Sequence, residues 1–467
     1  MMRKIYILFF TLVWMQGVAW SQNTRSAYHL EDNALGHELN PAFQPENSYY
    51  AWPLTGNVSV AMRSSMGLED LIYERNDGSL TTFMAKGTIA KSDLMDKIGS
   101  AFKNYSEAQV TLFGMGRRVS TERYQTLSVN LRLNEQMRID DSMFDFMKDM
   151  ENRSYDITDT KLDASVFAEI AVGESRRLND RWTIGAKAKL LVGLAHLDMD
   201  ITAMRADLQN DRWMVQGMAR MNAAGFDYKT EMKDYKENGR GQYETVSGLA
   251  FDGLLPRGMG LAIDLGVSYQ YDAHWTFSAA IRDLGFLSWW KIKKARNQGD
   301  RFAFDGFHNA CLSDPDDQYA LENPNKEPLS DQLDQLRDDL TDLAHLQEAG
   351  SGYLTQMQSP ICHIGAQYKI DKWSAGALVT SGIRGDMTWV ESRLNVTYTP
   401  ISKLDLTLSP AYDSTAGMVV GSMIRYRFDN GIRLHLGSDA CAFSYNRQLL
   451  PISLCGSIQM GMVYTIQ

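Results

Sequence analysis

Only four of the 467 residues are cysteine, too few and too scattered for a disulfide framework. Cys441 and Cys455 flank one loop and Cys311 and Cys362 bracket a long insertion, so pairing in an oxidising compartment and free thiols both stay open. Past the first twenty residues there is no apolar run near the ~20 residues of a membrane helix. A chain of this kind that spans a membrane must do so as a closed barrel, because lipid does not tolerate open strand edges. Positive charge is also short: the formal net charge is −10, which excludes general binding to nucleic acid. Catalytic and metal motifs are missing too, among them Cys-x-x-Cys, His-Glu-x-x-His, the phosphate-binding glycine loop and the nucleophile elbow. His37-Glu38-Leu39-Asn40 opens like a zinc helix but lacks the second His, and Pro41 stops the helix such a site needs. No enzyme activity, metal or cofactor is expected.

What is present begins with an export signal. Met1-Met2-Arg3-Lys4 is a short basic start, an apolar run follows from Ile5 to about Val18, and Ala19-Trp20-Ser21 sets small residues before Gln22. That is the layout of a cleaved signal peptide over residues 1–21.

The strongest signal is a repeated turn. Asp or Asn stands shortly before a Trp that opens the next strand at Asn179-Asp180-Arg181-Trp182, Asn210-Asp211-Arg212-Trp213, Asp272-Ala273-His274-Trp275 and Asp371-Lys372-Trp373. Such side chains bond the local backbone and accept unusual dihedrals. Around the turns the pattern has period two: Leu127, Val129, Leu131 and Leu133 alternate with Ser128, Asn130 and Arg132. Leu404, Leu406 and Leu408 alternate with Asp405 and Thr407, and Ile432, Leu434 and Leu436 with Arg433 and His435. One apolar and one polar face over segments of roughly ten residues is the signature of a membrane barrel.

About sixteen strands are expected, with fourteen as the alternative if the pair around 197–221 fails. Alternating them up and down puts every Asp…Trp turn on one side, and the connections 67–106, 135–162, 222–257 and 284–359 on the other. Short turns on the periplasmic side and long outer loops are what outer-membrane barrels show. A soluble sandwich gives no reason for that asymmetry. Trp182, Trp213, Trp275 and Trp373 would then form an interfacial girdle. Two helices are expected in the outer loops: Asp140–Met150, and Ser330–Gln347 with Leu333, Leu336, Leu340, Leu343 and Leu346 on one stripe. The polar strand faces carry Arg132, Lys187, Lys189, Arg393, Arg425, Arg427, Arg433 and His435 as lumen candidates, against fewer acids: Glu169, Asp264 and Asp405. Such a surplus suits an anionic solute or headgroup, unless acidic plug and loop residues pair with it.

The segment His37-Glu38-Leu39-Asn40-Pro41-Ala42-Phe43 resembles the start of the long-chain fatty-acid transporter barrels and of the related type IX secretion barrel of Bacteroidetes. Ala280-Ile281-Arg282-Asp283-Leu284-Gly285-Phe286-Leu287-Ser288-Trp289 resembles a strand-end motif of Bacteroidetes barrels, and the whole layout is similar to a Bacteroidetes outer-membrane family of unassigned function. The resemblance implies a fourteen-strand barrel with an N-terminal hatch, in which Asn40, Pro41 and Ala42 belong to the plug. The chain departs from the fatty-acid transporters in its cationic strand faces.

The expected organisation is therefore all-β: a signal peptide (1–21), a hatch (22–56) and an antiparallel transmembrane barrel of about 14–16 strands (57–467) with a long insertion at 284–359. It is expected in the outer membrane, surrounded by lipid. The expected function is to admit or bind a small hydrophobic or amphipathic ligand, with an anionic one also fitting the lumen. The alternative is a structural or secretion-associated barrel that holds envelope protein partners through the long insertion.

Overall fold

The computed structural model describes residues 25–466 apart from position 54 and segments 75–79, 85–87, 149–152, 158, 210–211, 235–241, 298–300, 305–309, 312–326, 329–345 and 442–455. The expected signal peptide and nearly all of the expected helix at 330–347 lie outside the described residues; Gln347 already begins a strand.

Fourteen strands make the wall. They are β1, in two pieces, Ser48–Ala51 and Val58–Ser64; β2, Ala101–Arg118; β3, Arg123–Asp140; β4, Thr160–Arg177; β5, Trp182–Gln209; β6, Gly258–Gln270; β7, Trp275–Arg296; β8, Ile361–Ile370; β9, Trp373–Gly382; β10, Trp389–Ile401; β11, Leu404–Asp413; β12, Gly417–Arg427; β13, Ile432–Cys441; and β14, Gly456–Ile466. Each pairs antiparallel with its neighbours, and the ring closes where Val58 of β1 faces Met460 of β14. Closure leaves no unpaired edge, the condition lipid imposes on a sheet.

The pleat sorts the side chains as the alternation requires. Leu408, Leu394 and Leu436 face outward at 58%, 59% and 54% exposure, whereas Asp405, Arg393 and Arg425 face inward at 3%, 2% and 3%. In water each such exposed aliphatic side chain would forgo about 1.5–3 kcal/mol of burial. Lipid tails around the wall remove that loss. The molecule is a transmembrane barrel with its apolar surface outside and its charges inside.

Local side chains and backbone conformation shape the short turns at one end. The Asp272 Oδ1 accepts the backbone N–H groups of His274 at 2.8 Å and Trp275 at 2.7 Å, and these two bonds hold its carboxyl below the usual range. Asn179 Oδ1 does the same for Arg181 and Trp182, both at 2.9 Å. Asp371 takes φ +49°, a left-handed conformation that Asp accepts more readily than most residues. Trp182, Trp275 and Trp373 lie at this short-turn end, 43%, 40% and 52% exposed.

Trp213 does not join them. The first of the two strands expected around 197–221 is no separate strand but the far part of β5, because a bulge at Leu194 bends the chain without ending the ladder. The strand Arg212–Ala224 then returns along the far part of β5, with Arg212 opposite Gln209. Its start, and with it the backbone of Trp213, therefore lies at the long-loop end. The wall has fourteen strands, since Arg212–Ala224 pairs with β5 and the tip of β7 only above the start of β6.

The long loops are partly sheet. β7 runs on to Arg296, where Gln347–Met357 pairs with its outer half, so the insertion expected from 284 begins at 297. The connection 222–257 contains a hairpin, Phe226–Asp234 with Gln242–Phe251. The expected helix at 140–150 is α1 as Asp141–Lys148, and it packs through Phe144 and Met147 with Leu94, Met95 and Ile98 of a second short helix, Lys91–Ile98. The wall also begins earlier than position 57, because Ser48–Ala51 already pairs with β14 and β2.

Candidate functional site

Residues 25–47 enter the ring before any wall strand and fill the lumen. Two single 3-10 turns, Arg25–Ala27 and Gly36–Glu38, fold the segment back on itself. Its apolar side chains Ala27, Tyr28, Leu30 and Leu39 pack on Leu378 and Met423 of the wall.

Asn40 is fully buried, and its Nδ2 lies 3.3 Å from both the Val267 and the Ala279 carbonyl oxygens, which face each other across β6 and β7. Its Oδ1 accepts the Ala42 N–H at 3.0 Å and closes the turn around Pro41. Glycine makes room for this turn. Gly185 and Gly266 are register partners on β5 and β6; a Cβ on the first would strike the Pro41 carbonyl, and one on the second the Asn40 side chain. The Asn-Pro-Ala segment is thus a plug element seated on two bare stretches of wall.

Charge fixes the rest of the plug. Arg25 meets Glu391 at 2.5 Å, Asp32 meets Arg433 at 2.6 Å and Glu38 meets Lys187 at 2.8 Å. Arg425 donates to the backbone carbonyls of Glu31 at 2.5 Å and Asp32 at 2.9 Å. Burial would raise the Glu38 carboxyl, but Lys187 outweighs it and holds the group well below the ordinary range. Burial pushes His29 down to about 4 and His37 down to about 3, the Lys187 charge adding to the second. His37 also bonds the Tyr49 hydroxyl of β1.

Every lumen candidate has a partner. Arg132 bonds Glu169 at 2.8 Å and Asp283 at 2.9 Å, and Lys189 lies 2.7 Å from Asp283 and 2.8 Å from Asp264. Arg393 joins Glu391 and Asp439, Arg425 and Arg427 share Asp405, and His435 lies 3.4 Å from Asn57. Acids of the wall meet most of these cations, and the plug adds Glu38 for Lys187, Asp32 for Arg433 and two carbonyls for Arg425. Sequence reasoning missed Asp283 because a bulge in β7, with Asp283 at φ +58°, turns a residue inward that simple alternation does not assign. It missed Arg25, Asp32 and Glu38 because the plug has no periodicity to read.

At the long-loop end the lumen changes character. Phe167, Leu191, Leu287, Trp289 and Ile292 form an inward apolar cluster. Opposite it, Arg384 of the β9–β10 loop reaches across the mouth to β2, where it bonds Tyr105 and, at 3.0 Å, Glu107. The centre of the Trp389 ring lies 3.6 Å from the Arg63 guanidinium carbon and 4.8 Å from that of Arg25. Among the described residues no three His, Cys, Asp or Glu side chains gather as a metal site, and Cys362 is a free thiol. The pairing of Cys441 with Cys455 lies outside the described residues.

A family model described as "Family of unknown function (DUF5723)" matches residues 41–439. No curated protein matches the chain. Among solved structures it is similar to the toluene transporter TodX of Pseudomonas putida (9% identity, 96% of this chain and 95% of that one, TM-score 0.41). It is also similar to a FadL homologue of Pseudomonas aeruginosa (10%, 96% and 100%, TM-score 0.43) and to the translocator domain of the autotransporter NalP of Neisseria meningitidis (8%, 91% and 90%, TM-score 0.33).

Proposed function

The chain belongs to the DUF5723 family of unknown function, and from its geometry we propose that it is a plugged outer-membrane barrel that takes up or binds a small amphipathic molecule without transforming it. The observation that carries this reading is the way the lumen is filled. The plug continues into the wall at Ser48, and between Arg25 and Asn47 buried ion pairs and hydrogen bonds hold it beside two small apolar contacts, one of them on Leu378 and Met423. Replacing buried ion pairs by matched apolar side chains is often neutral or stabilising, so a permanent stopper gains little from them. Contacts of this kind suit a segment that is exchanged. The same end of the barrel carries an apolar cluster around Trp289 and a polar group of Arg384, Tyr105 and Glu107, which supports a ligand with both kinds of surface. The short turns would face the periplasm and the long loops the outside, with Trp182, Trp275 and Trp373 at the inner headgroup level.

The test is uptake into liposomes by the full mature chain and by a form lacking residues 25–45. Fast, unselective solute entry on deletion and slow, selective entry with the plug present are expected. Equal and negligible entry in both forms would leave a structural barrel as the better reading.

A further inference from the structure

The outer third of the lumen carries a row of polar side chains on adjacent strands. Glu107 of β2 faces Asn134 of β3, Asn134 faces Ser165 of β4, and Ser165 faces His196 of β5. Ser165 Oγ lies 3.0 Å from His196 Nδ1, and the imidazole stacks on Trp289 with ring centres 5.0 Å apart. Several atoms along this shelf are buried without a partner in the protein: Glu107 Oε2, Asn134 Oδ1, Gln109 Nε2, Trp289 Nε1, and both Nε and Nη1 of Arg384. The Arg384 side chain is 2% exposed; its Nη2 bonds Tyr105 and Glu107 and its guanidinium carbon lies 3.6 Å from the centre of the Tyr105 ring, while Nε and Nη1 have no hydrogen-bond partner. Buried polar groups are almost always satisfied, and each one left unmade costs about 1–3 kcal/mol. So many in one place mark a site that a bound molecule completes.

The free atoms also specify what that molecule must carry. Arg384, Gln109 and Trp289 offer N–H donors, two of them on a cation, and call for an anionic acceptor. Glu107 and Asn134 offer acceptors and call for a donor next to it. Phe167, with Trp289, supplies the apolar wall below. We propose that this shelf binds a compact amphipathic hydroxy acid, its carboxylate on Arg384, its hydroxyl on Glu107 and Asn134, and its apolar body against Phe167 and Trp289. The inference rests on the uptake reading for its biological sense, and on the unpartnered atoms for its chemistry.

The experiment is calorimetric titration of the full mature barrel in detergent with three probes of one shape. Phenyllactate has both polar groups, 3-phenylpropanoate lacks the hydroxyl and 3-phenylpropane-1,2-diol lacks the carboxylate. Phenyllactate is expected to saturate one site and to bind at least about tenfold more tightly than either analogue. Arg384→Met should remove the preference over the diol, and Asn134→Ala the preference over phenylpropanoate. Arg384→Lys keeps the charge and should keep part of the first preference, which a loss of fold would not; heat-modifiable gel mobility checks each variant. Equal affinity for the three probes, no saturable binding of phenyllactate, or an unchanged preference in Arg384→Met overturns the proposal and leaves water as the shelf's only occupant. Phenyllactate entry into liposomes is read separately. The affinity pattern without entry upholds the shelf and overturns uptake; entry without the pattern does the reverse.

Discussion

The Lys187 ammonium of β5 stands 2.8 Å from the Glu38 carboxylate of the plug, with side-chain exposures of 2% and 8%. Removing one partner strands the other charge, a loss of about 3–5 kcal/mol for a buried pair. Glu38→Gln and Lys187→Met are each expected to loosen the plug, seen as faster proteolysis within residues 25–45 while the wall keeps its heat-modifiable mobility. The double variant should recover most of the protection. Equal protection in all four proteins would mean that the pair does not hold the plug.

Acid should release the same segment. His29 and His37 lie well below the ordinary histidine value of about 6.5 while seated, because burial disfavours their charged forms. The released plug therefore takes up protons first, and seating weakens as pH falls from about 6.5 towards 4. The depressed Glu38 adds a loss of the same sign below about 4.5. Planar-bilayer conductance is expected to rise between pH 7.5 and pH 4.5 and to return on neutralisation. His37→Gln should flatten the response.

The two glycines beneath Asn40 and Pro41 give a steric test. Gly185→Val or Gly266→Val places a side chain where plug atoms now lie. Both residues belong to paired strands, where Val is well suited, so the wall should fold while the plug is displaced. Conductance comparable to that of the form lacking residues 25–45, with unchanged mobility on unboiled gels, is the expected result.

At the short-turn end, Asn179→Ala removes the acceptor for two backbone N–H groups. A loss of about 1 kcal/mol is expected, measured as a lower urea midpoint for the barrel in lipid vesicles. Single-tryptophan variants at 182, 275 or 373 should be quenched by lipids brominated near the headgroup.

How much of this was legible beforehand depends on which physical signal each part leaves in the chain. Leu404 to Leu408 shows its two faces because a strand has period two and lipid and lumen differ in polarity, so wall and lumen residues such as Arg393 and Arg425 could be sorted directly. The turn at Asp272 was legible for the same local reason. β5 was not, because the bulge at Leu194 breaks the alternation without breaking the ladder, and that error carried Trp213 to the wrong end. The pairing of Lys187 with Glu38 or Arg384 with Glu107 depends on closure of the ring. Residues 149 or 277 positions apart leave no local trace of their contact.

The place where the ring closes has a consequence for biogenesis. β1 precedes β2 to β14, yet it is the partner of β14, so the last ladder, which runs from Ser48 opposite Ile466 to Met62 opposite Gly456, has the greatest sequence separation in the wall. Such a contact is entropically the slowest to form. Its pairing on β1 comes in two pieces, Ser48–Ala51 and Val58–Met62, where β14 is continuous. Residues 25–47 lead directly into this seam from inside. Closure of that ladder therefore sets the point at which the ring and the segment inside it become one unit.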